Sequence, residues 1–192
     1  MDELVVRTTV YAEPEAVYEF LVDFPRYARY SEHLEHVRRI DGDGGPGTRY
    51  ALTFGWWRLT YTVRSEVTEI APPERINWAI RKGIDATGHW GITAIEGDVE
   101  QADTAGVDVT DEDDTAAHAD VCEVEFSVRF DPDSANSDAL DLPRFVSVEW
   151  VLRRVIPLVR EEAVRIVERA VADLEGRERE VDLEVTIDSE RL

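Results

Sequence analysis

The chain predicts an α+β fold: a curved antiparallel sheet of about six or seven strands around one long C-terminal helix, with two short helices after the first strand. Three observations predict it. Val6, Thr8 and Val10 alternate with Arg7, Thr9 and Tyr11, the period-two signature of a strand with unlike faces. Further alternating stretches follow one another between Thr48 and Phe130. From about Pro143 to Glu175 apolar residues recur instead at helical spacing. One amphipathic helix laid on one face of a sheet is a two-layer solution to burying both.

Taken in order, the first strand stops at Pro14, which presets φ for a helical turn, with Glu13 and Glu15 beside the positive end of the helix dipole. Ala16, Val17, Phe20, Leu21 and Phe24 then recur at helical spacing. Asp23-Phe24-Pro25-Arg26-Tyr27 breaks this helix, and Arg26 to Leu34 reads as a second short one. A strand begins at Val37-Arg38-Arg39-Ile40, and Asp41 to Gly47 is a glycine-rich turn or loop. Thr48 to Gly55 and Arg58 to Ile70 are strands, the second setting Leu59, Tyr61, Val63 and Val67 against Thr60, Thr62, Arg64 and Glu66. Gly55-Trp56-Trp57 at their junction marks a bulge or hairpin turn. Ala71-Pro72-Pro73-Glu74 turns the chain into Arg75 to Arg81, which sets Ile76, Trp78 and Ile80 on one face. After a turn at Gly83, Asp85 to Ile95 carries Trp90, Ile92 and Ala94 on a common face.

Glu96 to Asp120 has ten acids and no Lys or Arg, the composition of a solvated loop or hairpin tip. It is not an EF-hand, because the sixth-position glycine and the twelfth-position glutamate are missing after Asp108. Val121 to Phe130 returns to strand, with Cys122, Val124, Phe126, Val128 and Phe130 sharing a face. On the long helix Val148, Leu152, Val155, Val159, Ala163, Val167, Ala170 and Leu174 trace one stripe. Glu161 and Arg165 pair on its wet side, Pro157 bends it, and Gly176 ends it. Val181 to Ile187 alternates cleanly, as an edge strand or a frayed tail. The expected organisation is one domain over 1–176, with an acidic insertion at 96–120 and a tail at 177–192.

Composition sets the setting. With 192 residues, 43% of them hydrophobic, the chain is long enough for a core of its own. No apolar run approaches the length of a bilayer span, and MDELVV lacks the basic start of a signal peptide. The single cysteine, Cys122, has no partner for an intramolecular disulfide, so a reducing, cytoplasmic location is expected. Against 42 Asp and Glu stand 21 basic residues, of which only Lys82 is a lysine, for a net charge of −21. Acids spread along nearly every segment favour adaptation to a salt-rich cytoplasm, as in halophilic archaea, over a single basic partner.

The element order, with Ala12-Glu13-Pro14-Glu15-Ala16-Val17-Tyr18 followed by Val22-Asp23-Phe24-Pro25-Arg26-Tyr27, resembles the START-related (SRPBCC) superfamily of helix-grip domains. That group contains polyketide cyclases, lipid-transfer proteins and coenzyme-Q-binding proteins. The resemblance covers roughly residues 3 to 175 and marks fold more than function. It implies an apolar cavity beneath the long helix and a small hydrophobic ligand: an isoprenoid quinone, a lipid or a polyketide-like molecule. Val22 to Tyr30 looks like the post-helix segment of the coenzyme-Q-binding branch, from which Ser31-Glu32-His33 departs.

Alternation names the residues that would line such a cavity: Tyr50, Leu52 and Phe54; Tyr61 and Val63; Ile76 and Trp78; Trp90 and Ile92; Phe126 and Val128; and Trp150 or Leu152 opposite, on the helix. A plainly packed core is the competing account of any one of these aromatics. No catalytic constellation is legible. Arg81 and His89 fall on the opposite face, Asp23 reads as a local cap, and Tyr50, Tyr61, Glu123 and Glu125 are acid–base candidates by proximity alone. His33 and His36 sit at helical spacing without a third ligand, so no metal is expected, and no cofactor motif is present. Arg26, Arg29, Arg38 and Arg39 form the only basic concentration, a solvated face rather than a nucleic-acid site on so acidic a chain. The sequence thus favours a binder or carrier of a small hydrophobic ligand over a cyclase or dehydratase. A protein-interaction module, or an oligomer formed through the tail strand, is the third reading.

Overall fold

The computed structural model describes residues 2–56, 59–82, 85–95, 121–131, 134 and 164–188, with backbone only at Trp56, Leu59 and Tyr61. Eight strands among them form one antiparallel sheet in the order β2-β3-β4-β5-β6-β7-β1-β8. They are β1 Asp2–Val10, β2 Leu34–Asp41, β3 Arg49–Trp56, β4 Leu59–Ala71, β5 Arg75–Lys82, β6 Asp85–Ala94, β7 Cys122–Asp131 and β8 Glu184–Asp188. Helix α1 is Pro14–Val22, a 3-10 helix spans Phe24–Arg29, and α2 covers residues 164–175. The α+β architecture is the expected one, with one strand more than expected.

That extra strand is the tail. β8 pairs antiparallel with the outer edge of β1, Leu4 opposite Ile187 and Val6 opposite Val185. Gly176, at φ +67, ends α2 as the sequence predicts. Val181 is then buried in the core before the strand begins at Glu184, later than alternation alone predicts.

The second helix is shorter than Arg26 to Leu34. Ser31 Oγ accepts from the backbone N–H of His33 and of Leu34, both at 3.1 Å, and this local turn takes the chain out of helix and into β2. On α1 the buried residues are Val17, Phe20 and Leu21, while Ala16, expected on the same stripe, is exposed. Register shifts in β2–β3 (at Leu34/His36 and Arg39/Asp41) and in β4–β5 (at Arg64/Ser65 and Val67/Glu69) mark bulges that bend the sheet around its contents.

The helices pack on one face of this sheet, here called inner. The core joins Val10, Tyr50, Val67, Ile76, Ile92, Cys122 and Val124 from the strands to Val17, Phe20, Leu21 and Phe24 from the helix pair and Val171 from α2. Val167, Ala170 and Leu174, the described part of the predicted stripe, pack against it. Several polar contacts fasten α2 to the rest. Tyr30 Oη donates to Asp173, and Arg169 donates to the Tyr30 carbonyl at 3.0 Å. At the helix end Glu175, its side chain 1% exposed, accepts from Arg179 at 2.8 and 2.9 Å and from the Tyr11 N–H at 3.0 Å. Arg179 also donates to the Thr9 carbonyl at 2.7 Å, so helix end, tail and β1 are tied at one point. The acidic segment 96–120, the helix from Pro143 with its Pro157 bend, the Glu161–Arg165 pair and the Gly83 turn lie outside the described residues.

Candidate functional site

Cross-strand register decides which side chains meet. Tyr50 opposes Ser65, Leu52 opposes Val63 and Phe54 opposes the Tyr61 position across β3–β4. Ser65 then opposes Ile80, Ile76 opposes Trp90, and Trp90 opposes Phe126. The predicted strand residues therefore share the inner face. Tyr50, Val63, Ile76 and Ile92 are buried there, Leu52, Trp78, Trp90, Phe126 and Val128 are half-buried, and Phe54 is exposed at the far end. The Tyr61 side chain, Trp150 and Leu152 lie outside the description.

The aromatics form a chain across the sheet. Trp78 stacks on Phe126 with centroids 5.8 Å apart, and Phe126 meets Trp90 at 4.6 Å. Trp90 takes the edge of Tyr27 at 6.2 Å, Tyr27 meets Phe24 at 5.3 Å, and Phe24 stacks on Tyr50 at 5.0 Å. Gly88, directly across from Trp78, makes the first stack possible. A Cβ there would stand 2.4 Å from the Trp78 ring and 2.4 Å from the Ser127 carbonyl. Offset and edge-on ring pairs of this kind add specific attraction to a large apolar area.

One end of this face opens into a cleft of about 500 Å³. Val22, Asp23 and Pro25, the break after α1, form one wall, while Asp43 and Gly44 of the glycine loop, Arg39, Tyr50 and Ile70 form the rest. The loop is held against the sheet. Thr48 Oγ1 accepts from Gly44 N–H at 2.9 Å, Gly47 N–H donates to the Val67 carbonyl at 2.7 Å, and Val67 N–H donates to the Thr48 carbonyl at 2.9 Å. Gly42, at φ +93, admits no side chain, since a Cβ would lie 2.5 Å from Thr48 Oγ1.

Burial raises the Tyr50 hydroxyl above its ordinary pKa; Arg39 pulls it back, and Asp23 and Asp43 push it further up. Burial lifts Tyr27 well above the usual tyrosine range, reinforced by Asp23 and Tyr50 and opposed by a hydrogen bond to Trp90. Tyr27 Oη itself donates to the Leu21 carbonyl. Both phenols therefore stay protonated near neutrality, as hydrogen-bond donors rather than bases. Cys122 is fully buried on the inner face, its thiol pushed up to about 11 by burial, so it is an inert hydrophobe as expected.

Glu123 and Glu125 are corrected. Register pairs them with Thr9 and Arg7 on the outer face, since they alternate with the inward Val124 and Phe126. Glu125 accepts from Arg7 at 2.7 Å and lies 2.9 Å from His89 Nε2, which, like Arg81, is on the outer side as predicted. Burial raises the Glu125 pKa, but the bonds from Arg7 and His89 outweigh it and leave the carboxyl below its usual range. Asp23 makes no side-chain cap; its carboxylate instead borders the cleft. Among the described residues no group of three His, Cys, Asp or Glu is placed to hold a metal ion.

Sequence reasoning missed Phe24 and Tyr27 as members of the aromatic chain, and Asp23, Arg39 and Asp43 as cleft residues. Arg39 was findable. It alternates with Val37 and opposes Tyr50 directly in the ladder, which sets it on the inner face at the sheet end. Asp43 had no such signal, because a loop carries no periodicity.

Sheet, helix pair and α2 together form a helix-grip fold with its aromatic face turned inward. The sequence profile of the polyketide cyclase / dehydrase and lipid transport family matches residues 10–148, and the chain belongs to that family. No curated protein matches the sequence. Among solved structures the fold is similar to the Zhui aromatase/cyclase from Streptomyces sp. R1128, with TM-score 0.60 and 17% identity over 91% of this chain and 94% of that one. It is similar to Ara h 8.0201, with TM-score 0.57 and 13% identity over 92% and 100% of the two chains. It is similar also to TTHA0849 from Thermus thermophilus, with TM-score 0.53 and 14% identity over 90% and 95%. Likeness at these identities establishes the fold. Among the described residues no helix is long and apolar enough to cross a membrane.

Proposed function

We propose that this protein binds and carries a small hydrophobic ligand on the aromatic inner face, within a cavity closed by the C-terminal helix. One observation carries the reading: Trp78 stacks on Phe126, Phe126 packs at a tilt against Trp90, and all three rings stay only half-buried. A plain core would bury them fully; a row of half-buried rings suits a flat or extended apolar guest. Tyr50, Leu52, Phe54, Tyr61, Val63, Ile92 and Val128, with Trp150 and Leu152 from the helix, are proposed to complete the lining. The domain over 1–176, together with the tail strand that pairs with β1, is proposed to work in a salt-rich cytoplasm, with nucleic acid disfavoured by its charge.

Native mass spectrometry of protein from its own host, with solvent extraction, tests this. A bound apolar molecule displaced by Trp90→Ala is the expected result; an empty protein that also fails to bind added aromatic or isoprenoid compounds overturns it. A cyclase or dehydratase is the second reading, favoured by the Tyr50 hydroxyl at the cleft. It requires loss of water from a hydroxy-ketone in the presence of the protein, seen by mass spectrometry and lost in Tyr50→Phe.

A further inference from the structure

The outer face of the sheet has a cleft of its own, of about 280 Å³, lined by Ile40, Arg49, Arg64, Glu66, Arg81 and Lys82 among others. Arg49, Arg64 and Glu66 point outward because they alternate with Tyr50 and Val63, which are buried on the inner face. Two ladders shift register at this place, β2–β3 between Arg39 and Asp41 and β4–β5 between Arg64 and Ser65. The shifts leave Ile40 and Arg81 as extra residues, and both border the cleft. Bulges re-aim side chains in this way beside binding sites.

Register also sets like charges against each other. Across four strands the residues in one row are Arg38, Ala51, Arg64 and Lys82, and Arg64 directly opposes Lys82. Like charges so placed repel and weaken the pairing. Elsewhere on the outer face Arg7 opposes Glu125, Glu3 opposes Arg129 and Arg49 opposes Glu66. Acid does oppose acid at Glu3–Asp188 and Asp85–Asp131, as an excess of acids makes common. A facing pair of cations runs against a composition of 42 acids to 21 basic residues. Neither Arg64 nor Lys82 has an ion pair among the described residues, while Arg49 is held by Asp41 at 2.8 Å and Arg81 reaches Glu66 only at 3.4 Å. Four cations and two carboxylates thus leave two positive charges in excess around one small space. A local rule broken without compensation inside the fold is the mark of a functional place. Sequence order hid this group, because its members are scattered from Arg38 to Lys82.

We propose that this outer cleft is an anion site that takes a diphosphate group, either free or as the charged end of an ester. Its room equals that of about nine waters, which a diphosphate fills and a single phosphate does not. Arg64 and Arg81 donate to its oxygens through their planar forks, and the Lys82 ammonium supplies a point charge. Tetrahedral phosphates offer oxygens to donors arriving from several strands, whereas flat carboxylates do not. Ile40, 44% exposed beside these cations, offers apolar contact to the organic part of an ester. In molar salt, charges are screened over about 3 Å, so the −21 of the whole chain does not repel the anion and the local excess decides. The site is on the face opposite the aromatic rings and is independent of the ligand reading above.

Calorimetric titration of the folded protein in molar KCl tests it with inorganic diphosphate, orthophosphate, malonate and n-butyl diphosphate. Inorganic diphosphate is expected to bind about tenfold more tightly than orthophosphate or malonate, the worth of one charge-assisted hydrogen bond. Arg64→Gln and Lys82→Gln each alter an exposed side chain and relieve a repulsion, so neither lowers the urea midpoint. Each is expected to remove most of the diphosphate advantage. Arg75→Gln, also exposed but at the other end of β5, is expected to leave it unchanged. Butyl diphosphate binding more tightly than the free anion, with the gain lost in Ile40→Ser, supports an ester as the source; equal affinities support the free anion. Malonate matching diphosphate overturns the phosphate class. An advantage that survives both substitutions, or falls as far in Arg75→Gln, overturns the site, as does failure of diphosphate to bind.

Discussion

Glu125 and Phe126 are neighbours in β7, yet they serve opposite sides of one sheet. Glu125 faces out, between Arg7 and His89, in a row that continues through Arg129 with Glu3 and Asn77 with Glu69. Phe126 faces in, between Trp78 and Trp90. The outer side chains of Arg7 and Glu125 remain 37% and 26% exposed, so water screens their attraction, and molar salt screens it over about 3 Å. Inner burial is not screened; each Å² of apolar area removed from water is worth about 25 cal/mol whatever the ionic strength at first order. The comparison teaches that stability resides mainly on the inner face, while the outer face keeps a highly charged protein dispersed.

The most direct attempt to break this contrast is Ile76→Ala. Ile76 is fully buried at the centre of the inner face, and its truncation is expected to cost about 3–4 kcal/mol in urea denaturation. A loss below about 1 kcal/mol would show the inner face to be loosely packed.

Gly88→Ala comes next. The added methyl meets both the Trp78 ring and the Ser127 carbonyl, and about 2 kcal/mol of overpacking is expected, with a shift in tryptophan emission as Trp78 is displaced. An unshifted emission spectrum would place the Trp78 ring elsewhere.

Glu175→Gln sharpens the comparison, because Glu175 is an ion-paired carboxylate that is buried. Burial raises its pKa, but Arg179 and the Tyr11 N–H more than offset that and hold it below the ordinary 4.5. A depressed native pKa means the pair stabilises the fold above pH 4.5, and that this contribution disappears as pH falls through the lower native value. The variant is expected to lose about 1–2 kcal/mol at neutral pH and to converge on the unaltered protein in acid. A difference independent of pH would assign the loss to packing instead.

Glu125→Gln on the outer face should give the smallest shift of the four, and a smaller one still as salt is raised. A shift equal to that of Glu175→Gln would erase the distinction between the faces.

Much of the inner face was legible because side-chain direction in a strand has period two. Trp78, Trp90, Ile92, Phe126 and Val128 needed only alternation to be grouped, and neighbouring antiparallel strands kept the grouping across the ladder. The same rule misled only where proximity was substituted for it, at Glu123 and Glu125. The cleft was less legible, since Asp23 lies in a helix break and Asp43 in a loop, where no period relates a residue to a face. Tyr27 joins the aromatic chain through a 3-10 turn whose direction is set by Ser31 and by contact with Trp90.

By itself the sequence determined the strand faces, the helix break at Asp23-Phe24-Pro25, the stop at Gly176 and the extreme acidity. These follow from local backbone preference, periodicity and composition, which act within a few residues. Tertiary structure alone decided that the tail pairs with β1, that Glu175 is buried against Arg179, and that Arg39, Asp23 and Asp43 border one cleft with Tyr50. Most of those contacts join residues far apart in the chain, and only assembly of the sheet and packing of the helices against it bring them together.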